Sequence, residues 1–418
     1  MKSRKTPKRL SIAATFKYLS VASLITTAAA QKSLALDHRN SVGALGEHFT
    51  GFLDRVRSSP GTARQQIVDE FATKLKAYGR AIVEDSVVYF VYQGEATRVA
   101  VPGDLNGWHP ASDTMTAVEG TDLFYLPKTI DMAARFEYKF AVDSTWILDP
   151  FNQQQAIGGY GANSEIWMPR YVPPTEILPN PDIPHGRIDT FAVESTLLGR
   201  THPVFVYLPP NYKKQSARYP VIYVTDGGEY LSLGLMNNVL DNLIAAKRIQ
   251  PVIGVFIDPR TDIRDAATSM RMHDYTMSDT FVNFLVTELV PRIRKNYRVT
   301  DDPANTAIMG ASLGGLIATY ASYKHPDVFG LCAAQSSSYW WNKDSIVALM
   351  REGPKKHVRF YIDTGTIFDA QEGVRKMRDV LRERGYEFSY AEYPEGHNWV
   401  NWRARIDAIL EYFWGLKR

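Results

Sequence analysis

The sequence predicts an α/β fold whose mainly parallel sheet is covered by helices on both faces, preceded by a small all-β sandwich. From about residue 188 onward, continuous apolar strands alternate with amphipathic helical patterns, which is typical of parallel sheets buried on both faces. Between about residues 84 and 170, short β-branched and aromatic runs are separated by turn residues instead. That spacing favours an antiparallel sandwich.

Composition bounds the classes of function. The 418 residues are 45% hydrophobic, which is enough for the cores of two domains, and the net charge of +3 is too small to indicate nucleic acid as a partner. The single cysteine, Cys332, excludes an internal disulfide and metal sites of the Cys-x-x-Cys type, and its apolar neighbours predict a buried, inert thiol. No metal or cofactor is implied, because no His/Glu pair has ligand spacing and no glycine-rich phosphate loop occurs.

The N-terminus has the order of a secretory signal peptide, predicted over residues 1–35. A basic start is followed by an apolar stretch and by small residues at 28–30 or 33–35. Lys17 interrupts the apolar stretch, and the remainder is too short to span a bilayer. We therefore expect a secreted or periplasmic protein with no stable membrane insertion after cleavage. A basic tail and an uncleaved anchor are the alternatives.

Four segments follow in order. Residues 41–80 show apolar side chains at helical spacing and predict two helices. We find no catalytic or ligand-binding pattern in this stretch of the sequence. Residues 84–170 predict the immunoglobulin-like sandwich, in which Phe136–Val142 alternates as a half-buried strand does. Five prolines in 172–186 predict a stiff, extended linker. Residues 188–418 form the predicted α/β domain.

The strongest chemical pattern is Gly310-Ala311-Ser312-Leu313-Gly314-Gly315. It follows a predicted strand and opens a predicted helix, which is the setting that a nucleophile elbow requires. Ser312 is the predicted nucleophile. The N–H of Leu313, at the start of the helix, is a candidate donor to an oxyanion. The second donor is expected after the strand Val221–Val224, from Gly227 or Gly228.

A serine nucleophile needs a base and an acid that orients the base. His397 lies on a loop between a predicted strand and a predicted helix near the C-terminus, where an α/β hydrolase carries its histidine. The acid should follow the strand Val358–Ile362. Asp369 is our choice, and Asp363 and Glu372 remain candidates.

Over residues 188–416 the chain resembles the α/β-hydrolase esterase family that includes enterochelin esterases, feruloyl esterases and antigen-85-type mycolyltransferases. The resemblance is carried by the following segments in order: Val206–Tyr212, Tyr223–Gly227, Glu288–Pro291, the elbow, Ser336–Trp341, Gly396–Trp399 and Trp402-Arg403. It implies a serine carboxylic-ester hydrolase that works through an acyl-enzyme. It also implies that Arg271 faces the substrate.

The N-terminal sandwich resembles the early-set domain that precedes many bacterial enterochelin-esterase-like hydrolases and that is itself similar to glycogen-binding modules. Gly103–Trp108 and Asn163–Pro169 carry this resemblance. One position departs from the family pattern: many relatives have a glutamate where this chain has Phe368, so Asp369 replaces it or the enzyme works mainly as a serine–histidine pair.

The resemblance favours a catecholate siderophore lactone or a related small-molecule ester as substrate. A feruloyl or acetyl ester linked to a polysaccharide is the close alternative, and Trp340, Trp341 and Trp399 are candidates to stack on an aromatic or sugar ring, with core packing as the alternative for all three. Acyl transfer to an alcohol uses the same residues. The remaining alternative is a non-catalytic glycan-binding protein, which is supported only by Trp108 and Trp146.

Overall fold

A computed structural model describes residues 41–212 and 218–416. The predicted signal peptide over 1–35 lies outside these described residues. Within them, we find no helix with both the length and the apolar character that crossing a membrane requires.

The first helices pack as a layer on one face of a small sheet. They are α1 (Ser41–Leu45), α2 (Phe49–Ser58) and α3 (Gly61–Tyr78). Their apolar side chains, among them Phe49, Phe52 and Phe71, share a buried cluster with Val91 and Leu123 of the sheet. The rings of Phe52 and Phe71 stack with centroids 3.8 Å apart. The helical segment is therefore part of the folded core and not a loose extension.

Ten short strands follow. They are β1 (Ile82–Glu84), β2 (Val87–Gln93), β3 (Val99–Ala100), β4 (Thr116–Ala117), β5 (Leu123–Thr129), β6 (Arg135–Tyr138), β7 (Phe140–Val142), β8 (Thr145–Ile147), β9 (Gln155–Gly158) and β10 (Gly161–Trp167). They form three antiparallel sheets, in the orders β1-β2-β5-β4, β3-β7-β8 and β6-β10-β9. The single strand expected over Phe136–Val142 is divided at Lys139, because its two halves join different sheets. The early-set assignment of this part stays a prediction.

The proline-rich segment 172–186 contains neither helix nor strand. It nevertheless lies firmly on the α/β part, since Ile177 and Leu178 are buried in that core. Asn242 donates from Nδ2 to the carbonyl of Leu178 at 2.8 Å, which holds the segment in place.

The second half contains one eight-stranded mixed sheet in the order β11-β12-β14-β13-β15-β16-β17-β18. Its strands are β11 (Arg187–Ser195), β12 (Arg200–Leu208), β13 (Val221–Thr225), β14 (Ile253–Ile257), β15 (Thr306–Ala311), β16 (Leu331–Gln335), β17 (Arg359–Gly365) and β18 (Phe388–Tyr393). The pairings of β11 with β12 and of β12 with β14 are antiparallel, and the others are parallel. The predicted α/β fold with a mainly parallel sheet is confirmed.

Helices cover both faces of this sheet. They are α4 (Gly227–Ser232), α5 (Met236–Ala245), α6 (Arg271–Asp274), α7 (Asp279–Phe284), α8 (Val290–Asn296), α9 (Leu313–Lys324), α10 (Trp341–Glu352), α11 (Gln371–Glu383), α12 (Trp399–Arg403) and α13 (Ile406–Trp414). One apolar core lies against α7 to α11 and the other against α4, α5 and α13. Two of the helical segments are interrupted, one between α4 and α5 and the other between α12 and α13. Cys332 is buried in the central sheet, and burial raises the pKa of its thiol to about 12.

Replacing Phe52 with alanine tests the packing of the helical layer. Because the ring is fully buried and stacked on Phe71, we expect the free energy of unfolding to fall by about 3–5 kcal/mol. Urea unfolding followed by circular dichroism measures it. Val172→Ala, at an exposed site, is the control and should change the unfolding midpoint little. Equal midpoints for both variants would show that the layer adds no stability.

Candidate active site

Ser312 lies in a sharp turn between β15 and α9. Its backbone has φ 58° and ψ −121°, a strained conformation for a residue with a side chain. Neighbouring glycines make the turn possible, because a Cβ at Gly310 would overlap Oγ1 of Thr225 and one at Gly315 would overlap Oγ of Ser337. The strand–turn–helix expected for a nucleophile elbow is therefore present around Ser312.

The hydroxyl of Ser312 faces a serine that sequence reasoning did not single out. Ser312 Oγ lies 3.2 Å from Oγ of Ser338, and Ser338 N donates to the carbonyl of Ser312 at 3.1 Å. In the described part of the chain, no hydrogen bond joins Ser312 to His397. Catalytic hydrogen bonds in enzymes without substrate are often long and tighten on binding. The run of three serines after β16 was the available signal for Ser338.

Asp369 and His397 form a hydrogen-bonded pair. His397 Nδ1 and Asp369 Oδ1 are 2.5 Å apart. The other carboxylate oxygen, Oδ2, accepts from Ser336 Oγ at 2.5 Å and from the backbone N–H of Gly365. Burial opposes the charged form, but the hydrogen bonds from His397, Ser336 and Gly365 hold the pKa of Asp369 below its ordinary value. Asp369 is thus built to stay ionised beside the imidazole.

The other two candidate acids point elsewhere. Asp363 lies inside strand β17, and its carboxylate accepts from Nε2 of Gln335 at 3.4 Å. Burial raises the pKa of Asp363 to about 7, against the lowering effect of Arg405. Glu372 is exposed and pairs with Lys376 at 2.9 Å. Among the described residues, neither carboxylate is hydrogen-bonded to His397.

Two backbone N–H groups remain available for an oxyanion. Gly227 and Leu313 are the first residues of α4 and α9, where no carbonyl of the helix can accept from them, and neither N–H has a partner in the described chain. Gly228 differs, because its N–H already donates to Asp258 Oδ2 at 3.1 Å. Of the two glycines considered, Gly227 therefore fits the role and Gly228 does not.

Arg271 lies beside the nucleophile but is largely engaged by the protein. Nε is 2.9 Å from Oδ1 of Asp226, and Nη2 donates to Asp226 and to the carbonyl of Ala311 at 3.0 and 3.1 Å. These contacts join α6 to the residue that precedes Ser312. Arg271 therefore supports the elbow, and a substrate-facing role would fall to its remaining nitrogen, Nη1.

The three candidate stacking tryptophans differ in exposure. Trp340 is 57% exposed next to the Ser338 loop, whereas Trp341 is half-buried against the core. Trp399 is 6% exposed and meets the rings of Tyr230 and Trp402 edge to face at 5.0 Å. Core packing thus accounts for most of the Trp399 surface, and Trp340 is the one of the three with an open face. The described residues contain no cluster of three or more His, Cys, Asp or Glu that could hold a metal ion.

Residues of the N-terminal part of the chain hold the histidine loop. Asn398, next to His397, donates from Nδ2 to Asp104 Oδ2 at 2.9 Å and accepts at Oδ1 from Arg135 Nη1 at 3.0 Å. The N–H of Arg135 donates to the carbonyl of Pro394 at 3.1 Å. Sequence reasoning missed this contact, because no local pattern links Asp104 with a residue 294 positions away.

A family model named Esterase, described as "Putative esterase", matches residues 195–413, slightly more than half of the chain. The chain belongs to this esterase family. It is 26% identical over 323 residues to the iron(III) enterobactin esterase of Escherichia coli O6:H1, covering 74% of this chain and 78% of that protein. It is 28% identical over 243 residues to an endo-1,4-beta-xylanase/feruloyl esterase of Xylanibacter ruminicola, covering 55% of this chain and 32% of that protein.

Among solved structures, the enterobactin esterase of Shigella flexneri in the presence of enterobactin aligns with a TM-score of 0.67 at 21% identity. The alignment covers 80% of this chain and 94% of that one. This similarity supports the fold. The chain spans 54% to 63% of the length of four further curated relatives that it matches.

Substitution of the three candidate acids separates their roles. Asp369→Asn should lower kcat for an ester substrate by about 10³- to 10⁴-fold, because the neutral amide no longer stabilises the imidazolium and its NH2 group, donating to Nδ1, favours the wrong tautomer of His397. Asp363→Asn and Glu372→Gln are the matched controls and should retain most of the activity. Steady-state kinetics on purified, folded variants measure the effect. A comparable loss in Asp363→Asn, with Asp369→Asn active, would reverse the assignment.

Asp104→Ala tests the support of the histidine loop. Without the carboxylate, Asn398 loses its acceptor, and we expect kcat to fall about 10- to 100-fold as His397 moves out of place. Ester hydrolysis, checked against circular dichroism of the variant, measures this. Asp131→Asn, at an exposed position of the same segment, is the control. A folded Asp104→Ala protein with full activity would rule out the positioning role.

Proposed function

We propose that this protein is a serine carboxylic-ester hydrolase that works through an acyl-enzyme. The observation that carries the proposal is the 2.5 Å hydrogen bond between His397 and Asp369, which accompanies a strained Ser312 at the start of a helix. Membership of the esterase family supports the same chemistry.

In the proposed mechanism, the hydroxyl of Ser312 gives up its contact with the hydroxyl of Ser338. Oγ of Ser312 then attacks the ester carbonyl while Nε2 of His397 takes the hydroxyl proton. Asp369 accepts from Nδ1–H, so that it fixes the tautomer and stabilises the imidazolium. The N–H groups of Gly227 and Leu313 donate to the oxyanion. Collapse of this tetrahedral intermediate breaks the bond to the alcohol, which leaves with the proton from His397. Water, deprotonated by His397, then attacks the acyl-enzyme and releases the acid and Ser312.

We propose a siderophore lactone or a related small-molecule ester as the substrate class. The match to an iron(III) enterobactin esterase extends over 74% of this chain, well beyond the catalytic sheet, which supports this choice. A feruloyl or acetyl ester of a polysaccharide is the second candidate. The match to a feruloyl esterase and the exposed apolar side chains of Trp340 and Phe368 near the site support that alternative. Acyl transfer would be recognised by an acylated product when an alcohol acceptor is added.

The rest of the organisation belongs to the proposal as well. We propose that residues 1–35 direct the protein to the periplasm or the outside, that 84–170 form an early-set sandwich and that 188–418 form the catalytic domain. Glycan binding by the sandwich is favoured by one observation. The rings of Trp108 and Trp146 are parallel within 11° with centroids 6.4 Å apart, and Trp146 is 43% exposed.

Ser312→Ala tests the proposed function. Hydrolysis of short p-nitrophenyl esters should fall by a factor on the order of 10⁴ or more, because the nucleophile, base and acid act as a unit. Ser337→Ala, in which a buried neighbour loses its hydroxyl, is the control and should stay active. Equal rates for wild type and Ser312→Ala would sink the proposal.

A further inference from the structure

Three separate segments meet at one point beside the candidate active site. These are helix α4, the start of helix α12, and the tip of the β9–β10 hairpin from the N-terminal strands. The hairpin tip has no side chain at Gly159, where an added methyl group would lie 3.5 Å from Oε1 of Glu229 and 4.0 Å from Nε1 of Trp399. The carboxylate and the indole N–H therefore flank the same small space.

The residues around this space are neighbours in sequence of two residues of the candidate site. Glu229 is two residues beyond Gly227, and Trp399 is two residues beyond His397. The ring of Tyr230, next to Glu229, contacts Trp399, and its hydroxyl donates to Gln335 Oε1 at 2.8 Å. The carbonyl of Gln335 accepts from the N–H of Ser312 at 2.9 Å. A group held here would thus be part of a substrate whose ester reaches Ser312.

Neither polar group has a hydrogen-bond partner within the described chain. The charged groups near Glu229 are already paired with each other: Arg271 with Asp226, and Arg260 with Asp258. Glu229 is only partly exposed, and burial together with the charge of Asp226 raises the pKa of its carboxyl to about 7. Polar groups in such surroundings are normally satisfied by a partner, so an unpaired acceptor and an unpaired donor on either side of one gap indicate a ligand group.

The chemistry of the pair selects the ligand. Trp399 Nε1 can only donate, and Glu229, once ionised above a pH of about 7, can only accept. A hydroxyl does both, whereas an ammonium cannot accept from the indole and a carboxylate cannot donate to Glu229. We propose that Glu229 and Trp399 bind a hydroxyl group of the substrate in a subsite closed by the hairpin tip at Gly159. The inference rests on the proposed ester hydrolysis and adds to it the group by which the substrate is recognised.

A hydroxyl of this kind can belong to a catechol ring or to a sugar ring, and paired substrates distinguish the two. Comparing methyl caffeate with methyl cinnamate measures how much the ring hydroxyls contribute to kcat/KM. Comparing 5-O-feruloyl-arabinose with methyl ferulate measures the contribution of the sugar hydroxyls. For each pair the readout is the ratio of kcat/KM values. At a pH well above 7, where Glu229 is ionised, we expect the ratio of one pair to fall at least ~10-fold in Glu229→Gln, since charged hydrogen bonds are the stronger ones. Glu95→Gln, an exposed glutamate elsewhere, should leave both ratios at wild-type values.

Gly159→Leu supplies a second, independent variant, because it fills the gap without altering a polar group. It should lower the same ratio as Glu229→Gln. Wild-type ratios in Glu229→Gln, or ratios near one in the wild-type protein for both pairs, would overturn the inference while leaving ester hydrolysis intact. Hydrolysis unaffected by Ser312→Ala would instead overturn the proposed function, so the two failures are distinguishable.

Discussion

The close approach of β15, β13 and the start of α9 is the constraint on which the candidate site depends. Gly310 and Gly314 have no Cβ, so the turn can pack directly on Thr225 and Asp226. That packing holds Ser312 at a positive φ that its own preference would not select. Arg271 reinforces it, because the guanidinium joins Asp226 to the carbonyl of Ala311. The serine hydroxyl and the N–H of Leu313 therefore take their positions from the sheet and not from a flexible loop.

The base and the acid are positioned by a second set of contacts, which the N-terminal strands share. Asp104 and Arg135 hold Asn398, and Ile367, close to Asp369, packs against the core of the N-terminal sheets. Arg135 is itself buried and paired with Glu165 at 2.5 Å. A buried ion pair offsets much of its own attraction by desolvation, so its main effect is geometric. The loops that follow β17 and β18 are thereby both attached to the N-terminal part of the chain.

The carboxyl groups around the site fall into two classes, whose effects on the stability of the folded state depend on pH in opposite directions. The pKa of Asp369 is lowered on folding, so its charge stabilises the folded state above the ordinary pKa of an aspartate, and that contribution is lost as the pH falls. Asp363 and Glu229 have raised pKa values of about 7, so each destabilises the folded state as the pH rises toward and through that value. The difference follows from partners: Asp369 accepts several hydrogen bonds, whereas burial dominates at the other two carboxyls.

Local patterns determined much of this protein. Alternating apolar strands and helices predicted the α/β sheet, and the glycines around Ser312 marked a turn that only small neighbours permit. Other features depend on residues that are distant in the chain. No local signal divides Phe136–Val142 between two sheets, reveals that Ser336 and the N–H of Gly365 donate to Asp369, or shows that the N–H of Gly228 donates to Asp258. Likewise, Asp104 meets Asn398, and Gly159 meets Glu229 and Trp399, only because sheets from two parts of the chain pack together. Periodicity and turn chemistry are local and can be recognised in sequence, whereas hydrogen-bond partners and burial are set by tertiary packing.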